Sequence, residues 1–309
     1  MKNHYIGIDI GGTNIRIGAV DENKNIVAFE KKRTHEVFLD ERTEDSLISL
    51  IEDFMDKYNL QDNVKAISIG FPATINKERT IVLQAPNINV LDNLNVIEIL
   101  SKAFNIQAYI VKDVCTALQY DIDKYKIPED GILIGFYIGT GIGNIIYIDG
   151  KEITGKDGVA CELGHIPVIG NLESCGCGNA GCIENVAGGK YLTKLCQTCF
   201  TETFIGDLFV KHKENMAIKN YIDNLAVSIA TEINILNPDY ILLGGGVLAM
   251  TEFPRHELEI AIRKHTRKPY PEQNLDLIYV EDDENKGVVG AALYAMKKIK
   301  EKVYDSISK

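Results

Sequence analysis

The chain has 309 residues, about twice the length of a typical domain, so two units or one large two-part fold are expected. Hydrophobic side chains make up 45% and charged ones 25%, the composition of a globular protein with a core, which excludes a disordered chain. With 33 basic against 44 acidic residues the formal charge is -11, which excludes the basic footprint a nucleic-acid binder uses to offset phosphate.

In chain order, Ile6 to Ile10 is an apolar strand that begins almost at the amino terminus, without the sections of a signal peptide. It is followed by a glycine turn, a second strand over Ile15 to Val20, a hydrophilic turn at 21–25 and a third strand. Thr43 to Tyr58 carries Leu47, Leu50, Ile51, Phe54 and Met55 at helical spacing. Val64 to Gly70 reads as a strand, Val96 to Phe104 as a short helix, and Ala108 to Val111 as a strand ending at Asp113. The opening pattern then returns: Ile6 to Ile17 resembles Ile134 to Ile145 at an offset of 134 − 6 = 128 positions. The second copy continues with a strand over Ile145 to Ile148, a hydrophilic turn at 149–152 and a third strand. Farther on come a long helix over Ile218 to Leu236, a strand over Tyr240 to Leu243 and a closing helix from Val288.

This duplicated α/β pattern predicts two lobes facing each other across a cleft. An amino-terminal lobe is expected over 1–112 and a carboxy-terminal lobe over 113–290, with a hinge near Lys112 to Tyr125 and the helix over about 291–309 packing back on the first lobe. No apolar segment approaches the ~20 residues that span a bilayer. A cytoplasmic protein with neither a membrane nor a nucleic-acid partner is therefore expected. The seven cysteines are odd in number, and in a reducing compartment they do not suggest a disulfide framework.

Asp9 stands at a strand end before Gly11, Gly12, Thr13 and Asn14. Glycines let backbone N–H groups approach an anion, so this suits a phosphate cradle as well as it suits a plain hairpin turn. The run Gly139, Thr140, Gly141 and Gly143 is not a dinucleotide fingerprint, because a β-branched strand follows where that fingerprint needs a helix. Two such turns, one per copy, predict a clamp for nucleotide phosphates. Gly244, Gly245 and Gly246 follow a strand and offer a flat surface for an adenine ring, or simply a crowded turn. His165, Cys175, Cys177 and Cys182 supply four ligands without an obvious open position, which reads as a structural zinc site. Cys196 and Cys199 read as core thiols rather than a redox pair. Asp113 can act as the base that phosphoryl transfer to an alcohol requires, or as an ordinary helix cap. Glu162, His165 and Glu184 flank the metal loop and could hold a polyhydroxylated ligand; the glutamates could equally be surface acids.

Together these residues, with Pro86-Asn87, resemble the sugar kinases of the repressor, open reading frame, kinase (ROK) family, within the duplicated actin-like, ribonuclease H-like fold of sugar kinases. The resemblance implies an ATP-dependent kinase acting on the 6-hydroxyl of a hexose. Its ATP phosphates would be held by the Asp9 and Gly139 turns, with adenine near Gly244 to Gly246. Asp113 would be the general base, with Mg2+ positioned in part by Asp9. Asn87, Glu162, His165 and Glu184 would grip sugar hydroxyls, and zinc would sit on His165, Cys175, Cys177 and Cys182. A homodimer is implied as well. The family's DNA-binding regulators carry a helix-turn-helix segment ahead of the first phosphate motif, whereas eight residues precede Asp9 here, so a regulator is not expected. Two departures stand out: Lys112 where the family has Asn, and Asn144 where it has Gly. Segments such as Phe71-Pro72-Ala73 and the basic residue before Asp113 resemble the D-allose kinase branch, so D-allose is the expected acceptor, with glucose, N-acetylmannosamine and fructose as alternatives. Lys112, a cationic donor beside the base, is expected to select the sugar, or else to pair with a surface acid.

Overall fold

The computed structural model describes residues 3–38 and 42–307. Contacts divide the chain into two compact units: Met1–Ile127 with Thr154–Ala160 and Asp283–Lys309, and Pro128–Ile153 with Cys161–Asp282.

The first unit opens with the antiparallel meander β1 (His4–Ile10), β2 (Asn14–Asp21) and β3 (Ile26–Arg33). The short helix α1 (Thr34–Val37) and α2 (Thr43–Tyr58) lead to β4 (Val64–Phe71), which pairs in parallel with β1. A small hairpin, β5 (Thr74–Ile75) and β6 (Val82–Gln84), precedes α3 (Val96–Ala103), β7 (Gln107–Lys112) and α4 (Asp113–Tyr125). The sheet order is β3-β2-β1-β4-β7. Because strand side chains alternate, Ile6, Ile8 and Ile10 fall on one face, where they join the core with Leu47, Phe54 and Leu100 of α2 and α3.

The second unit repeats the plan. Strands β8 (Ile132–Ile138), β9 (Ile142–Ile148) and the two-residue β10 (Lys151–Glu152) form its meander. The helices α5 (Glu184–Ala187), α6 (Gly189–Thr198), α7 (Leu208–His212) and α8 (Met216–Leu236) follow, then β11 (Tyr240–Gly244), α9 (Arg255–His265) and β12 (Leu277–Tyr279). Sheet order is β10-β9-β8-β11-β12, the counterpart of the first. The fully buried Tyr221, Leu225 and Ile229 of α8 join Ile134 and Phe136 of β8 in its core.

The last helix, α10 (Lys286–Ile307), belongs to the first unit and lies against β1, β4 and α4. Its backbone comes so close that a Cβ on Gly7 would sit 1.9 Å from the Val288 carbonyl oxygen, and one on Gly290 would sit 1.8 Å from that of Thr116. This contact explains why the expected boundary at 112/113 differs from the observed partition: α4 is held by α10, so the first unit runs on to Ile127. The segment expected to hold a hinge, Lys112 to Tyr125, is mostly an unbroken helix. Among the described residues, no helix is long and apolar enough to cross a membrane.

Candidate active site

In the first unit, Gly11, Gly12 and Thr13 form the turn between β1 and β2, with the Gly11 N–H donating to the Asn14 carbonyl at 2.9 Å. Thr34, which opens α1, takes two of the turn's acceptors: its N–H donates to Thr13 O at 3.0 Å and its hydroxyl to Gly11 O at 2.6 Å. Asn87 lies against the turn, since a Cβ on Gly12 would be 3.2 Å from its own Cβ. Asp9 sits one residue before the strand ends, opposite Arg16 in the hairpin register, and its Oδ2 accepts from Arg16 Nη1 at 3.0 Å. Burial pushes the Asp9 carboxyl above the usual carboxylate range, and Arg16 opposes the shift. Gly287, in the first turn of α10, has no space for a Cβ, which would meet Asp9 Cγ at 2.4 Å.

Asp113 is the first residue of α4, and the preceding Lys112 occupies the cap position, so the plain helix-cap alternative does not describe it. Its Oδ1 accepts the Val114 N–H at 2.8 Å. Burial, reinforced by the negative charge of Asp9, pushes its carboxyl up to about 7, against the opposing pull of Lys112. That value is where a general base works best at neutral pH. Lys112 is 9% exposed, and its Nζ donates to the Ala160 carbonyl at 3.2 Å, so it is not a solvated surface lysine.

In the second unit, Gly139 to Gly141 form the turn between β8 and β9, and the device seen in the first unit recurs. The N–H groups of Gly189 and Lys190, at the start of α6, donate to Gly139 O and Thr140 O, each at 2.9 Å. Gly143 lies inside β9 opposite Tyr137, beyond the turn itself. Asn144 is buried and its Nδ2 donates to Glu232 at 2.8 Å, so this departure from glycine is absorbed by the core. Gly244 ends β11. Gly245, at φ +97°, lies on the end of β8, where a Cβ would be 2.5 Å from Ile138 N, while Gly246 faces open space. The glycine surface therefore adjoins the residue just before Gly139.

The metal-ligand cluster follows β10. Glu162 precedes a short 3-10 turn, Leu163–His165, and a loop closed by pairing of Pro167 with Cys182 and of Ser174 with Ala180. Ligand atoms of His165, Cys175, Cys177 and Cys182 all lie within 4.8 Å of one another. With zinc–sulfur and zinc–nitrogen bonds of about 2.3 and 2.0 Å, a tetrahedral site has S···S edges near ~3.8 Å and S···N edges near ~3.5 Å. Cys177 and Cys182 are 3.7 Å apart at sulfur, and Cys175 Sγ is 3.6 Å from His165 Nδ1. The donor set and these two edges suit a tetrahedral zinc site, and the three cysteines are free thiols. The other ring nitrogen, Nε2, is 3.7 Å from Glu162, and Nδ1 is 3.8 Å from Glu184. Glu184 starts α5 and also faces the Gly139–Gly141 turn, since a Cβ on Gly141 would be 2.4 Å from its Oε2.

The predicted residues thus gather into two constellations. Asp9, Gly11 to Asn14, Asn87, Lys112 and Asp113 belong to the first unit; the Gly139 turn, Glu162, the metal ligands, Glu184 and Gly244 to Gly246 belong to the second. Thr34, Arg16, Gly189 and Lys190 were not singled out from sequence. Arg16 was recoverable, because fixing the hairpin register at the Gly11–Thr13 turn places it opposite Asp9. The others make contacts between distant segments, through backbone N–H groups and, for Thr34, also through its hydroxyl.

A family model described as "ROK family" matches residues 5–298. The chain is 28% identical over 280 residues to a glucokinase of Thermotoga maritima, covering 80% of this chain and 83% of the relative. It is likewise 28% identical over 264 residues to an N-acetyl-D-glucosamine kinase of Histophilus somni, covering 79% and 84%. Among solved structures, a ROK family glucokinase from Streptomyces griseus in complex with glucose and AMPPNP matches with a TM-score of 0.76 at 24% identity, covering 96% of this chain and 100% of that one.

Proposed function

The chain belongs to the ROK family and is an ATP-dependent sugar kinase, and from that premise we propose that it transfers the γ-phosphoryl group of ATP to the 6-hydroxyl of a hexose. The observation that carries the proposal is Asp113: a carboxyl pushed up to about 7 by desolvation and by the charge of Asp9, at the start of a helix, in the same unit as a glycine turn beside Asn87.

In this reading the two glycine turns hold ATP phosphates through their N–H groups, and the open face at Gly246 receives adenine. Asn87, Glu162, Glu184 and His165 Nε2 orient sugar hydroxyls. Since Asp113 Oδ1 is engaged by Val114, Oδ2 accepts the proton of the 6-hydroxyl. The sugar oxygen forms its bond to the γ-phosphorus as the bond to the β-phosphate oxygen breaks, and ADP leaves. The like-charged pair Asp9 and Asp113 suits a divalent cation, and Mg2+ when bound would offset phosphate charge with Asp9 helping to hold it. Zinc on His165, Cys175, Cys177 and Cys182 would be structural, fixing the tautomer and aim of His165 and tethering Glu184 through the loop.

Within the hexoses, D-allose is proposed from the segments that resemble its kinase branch. Glucose and the N-acetylhexosamines are favoured by the names of the relatives. The argument from Lys112 as a sugar-selecting donor is weakened by its bond to Ala160. ADP release measured with D-allose, D-glucose, N-acetylglucosamine, N-acetylmannosamine and D-fructose tests both levels. The expected result is hexose-dependent release, with D-allose at least about tenfold above D-glucose in kcat/KM, the size of one stranded buried polar group. Preference for glucose would overturn D-allose alone; no hexose-dependent release would overturn the kinase.

A further inference from the structure

Between β10 and Glu162 the chain leaves the second unit for seven residues, Thr154–Ala160, which belong to the first. This loop is closed at its neck, where the Ala160 N–H donates to Thr154 O at 3.1 Å. Its far side is pressed on the strand end of the β5–β6 hairpin. Gly158, at φ +84°, has no space for a Cβ, which would meet Lys77 N at 2.8 Å and Ile75 O at 2.9 Å. At the neck itself the Ala160 carbonyl accepts the bond from Lys112 Nζ, the residue immediately before Asp113. The next residue, Cys161, holds φ at +67°, a left-handed conformation uncommon for a residue with a side chain. The chain therefore turns between Ala160 and Glu162, where it re-enters the second unit.

We propose that Lys112 is a positioning residue for the sugar acceptor: it pins the neck of the 154–160 loop and so fixes the backbone that presents Glu162, rather than touching the sugar. Gly158 is the second pin. The ammonium is well suited to the task, because a buried cation beside the catalytic strand end needs an acceptor and the carbonyl supplies one. The inference rests on the reading of Glu162 as a hydroxyl-binding residue in a hexose kinase.

Two substitutions test it. Lys112→Met keeps the aliphatic stem and removes the donor; Gly158→Ala leaves Lys112 intact and lifts the far side of the loop. Both are expected to raise the KM for the preferred hexose by about tenfold or more while the KM for ATP stays within about twofold. Backbone hydrogen exchange over residues 159–166 should speed up in both, a readout independent of activity. Effects on the hexose KM from Lys112→Met alone, with Gly158→Ala silent in both readouts, would assign Lys112 to the sugar and overturn the proposal. So would unchanged exchange and hexose KM in both variants, or an equal rise in both KM values. Should Lys112→Met fail to fold, Gly158→Ala carries the test. A wild type without hexose-dependent ADP release contradicts the kinase reading, and the exchange measurement then still decides whether Lys112 pins the loop.

Discussion

At the scale of single residues, the raised carboxyl that suits Asp113 to its proposed role as base is costly for the fold. A carboxyl pushed up to about 7 by burial and by Asp9 is protonated in the folded state at pH values where the unfolded chain has already lost the proton. The folded protein therefore binds the extra proton between the ordinary carboxylate value near ~4 and about 7. Its contribution favours folding at the low end of that window and is lost as pH rises through about 7. In the proposed reaction activity runs the other way, because Asp113 must be ionised to act as the base. Asp113→Asn is thus expected to lower kcat by about 100-fold or more, the size of general-base loss, while raising Tm at pH 8 by about 2 °C or more. The gain in Tm should shrink as pH falls towards 4. Calorimetry and steady-state kinetics on the same preparation check both halves, and a variant that loses stability at pH 8 would contradict the burial argument. Asp113 itself was legible in the sequence, because an Asp at the junction of an apolar strand and a helix is a short pattern. Its neighbour was not: the sequence offered Lys112 a sugar or a surface acid, and the carbonyl it binds lies 48 positions away.

At the scale of elements, the second unit joins the candidate metal loop to the candidate sugar and phosphate residues. The loop ends at Cys182, α5 begins with Glu184, and Glu184 closes against Gly141 of the glycine turn. Cys177→Ser should therefore reduce bound zinc well below the about one ion per chain expected of the wild type, and weaken sugar binding with it. Elemental analysis and equilibrium binding of the preferred hexose test this; full hexose affinity in a zinc-free variant would separate the loop from the sugar. The three cysteines that gather with His165 were legible from their C-x-C-x4-C spacing, because they are close in sequence. Several elements were not. The three-residue β12 is too short to show alternation, the third strand expected after the turn at 149–152 is reduced to the two-residue β10 within it, and α9, Arg255–His265, is too charged to announce its buried Leu258 and Ile262. The long periodic helices were clear: Thr43–Tyr58 is found as the spacing predicts, and Met216–Leu236 begins two residues earlier than expected, where the Asn215 side chain caps it.

At the scale of the whole molecule, the repeat seen at an offset of 128 positions is realised as two sheets with the same strand order, each with a glycine turn between its first two strands. In each, backbone donors from the start of a helix engage the turn's carbonyls, Thr34 in one and Gly189 with Lys190 in the other. The duplication was legible because strand and turn repeat within a dozen residues. The assignment of α4 and α10 to one unit was not, because it depends on the close approach of Gly290 to Thr116 across the chain. The central claim is phosphoryl transfer to a primary hydroxyl of a hexose, and the position of the new ester is read most directly by proton-coupled phosphorus NMR of the product made from magnesium ATP and the preferred sugar. A phosphomonoester resonance split into a triplet by the two protons on carbon 6 is the expected result. A doublet from a secondary or anomeric carbon, or inorganic phosphate alone, would contradict it.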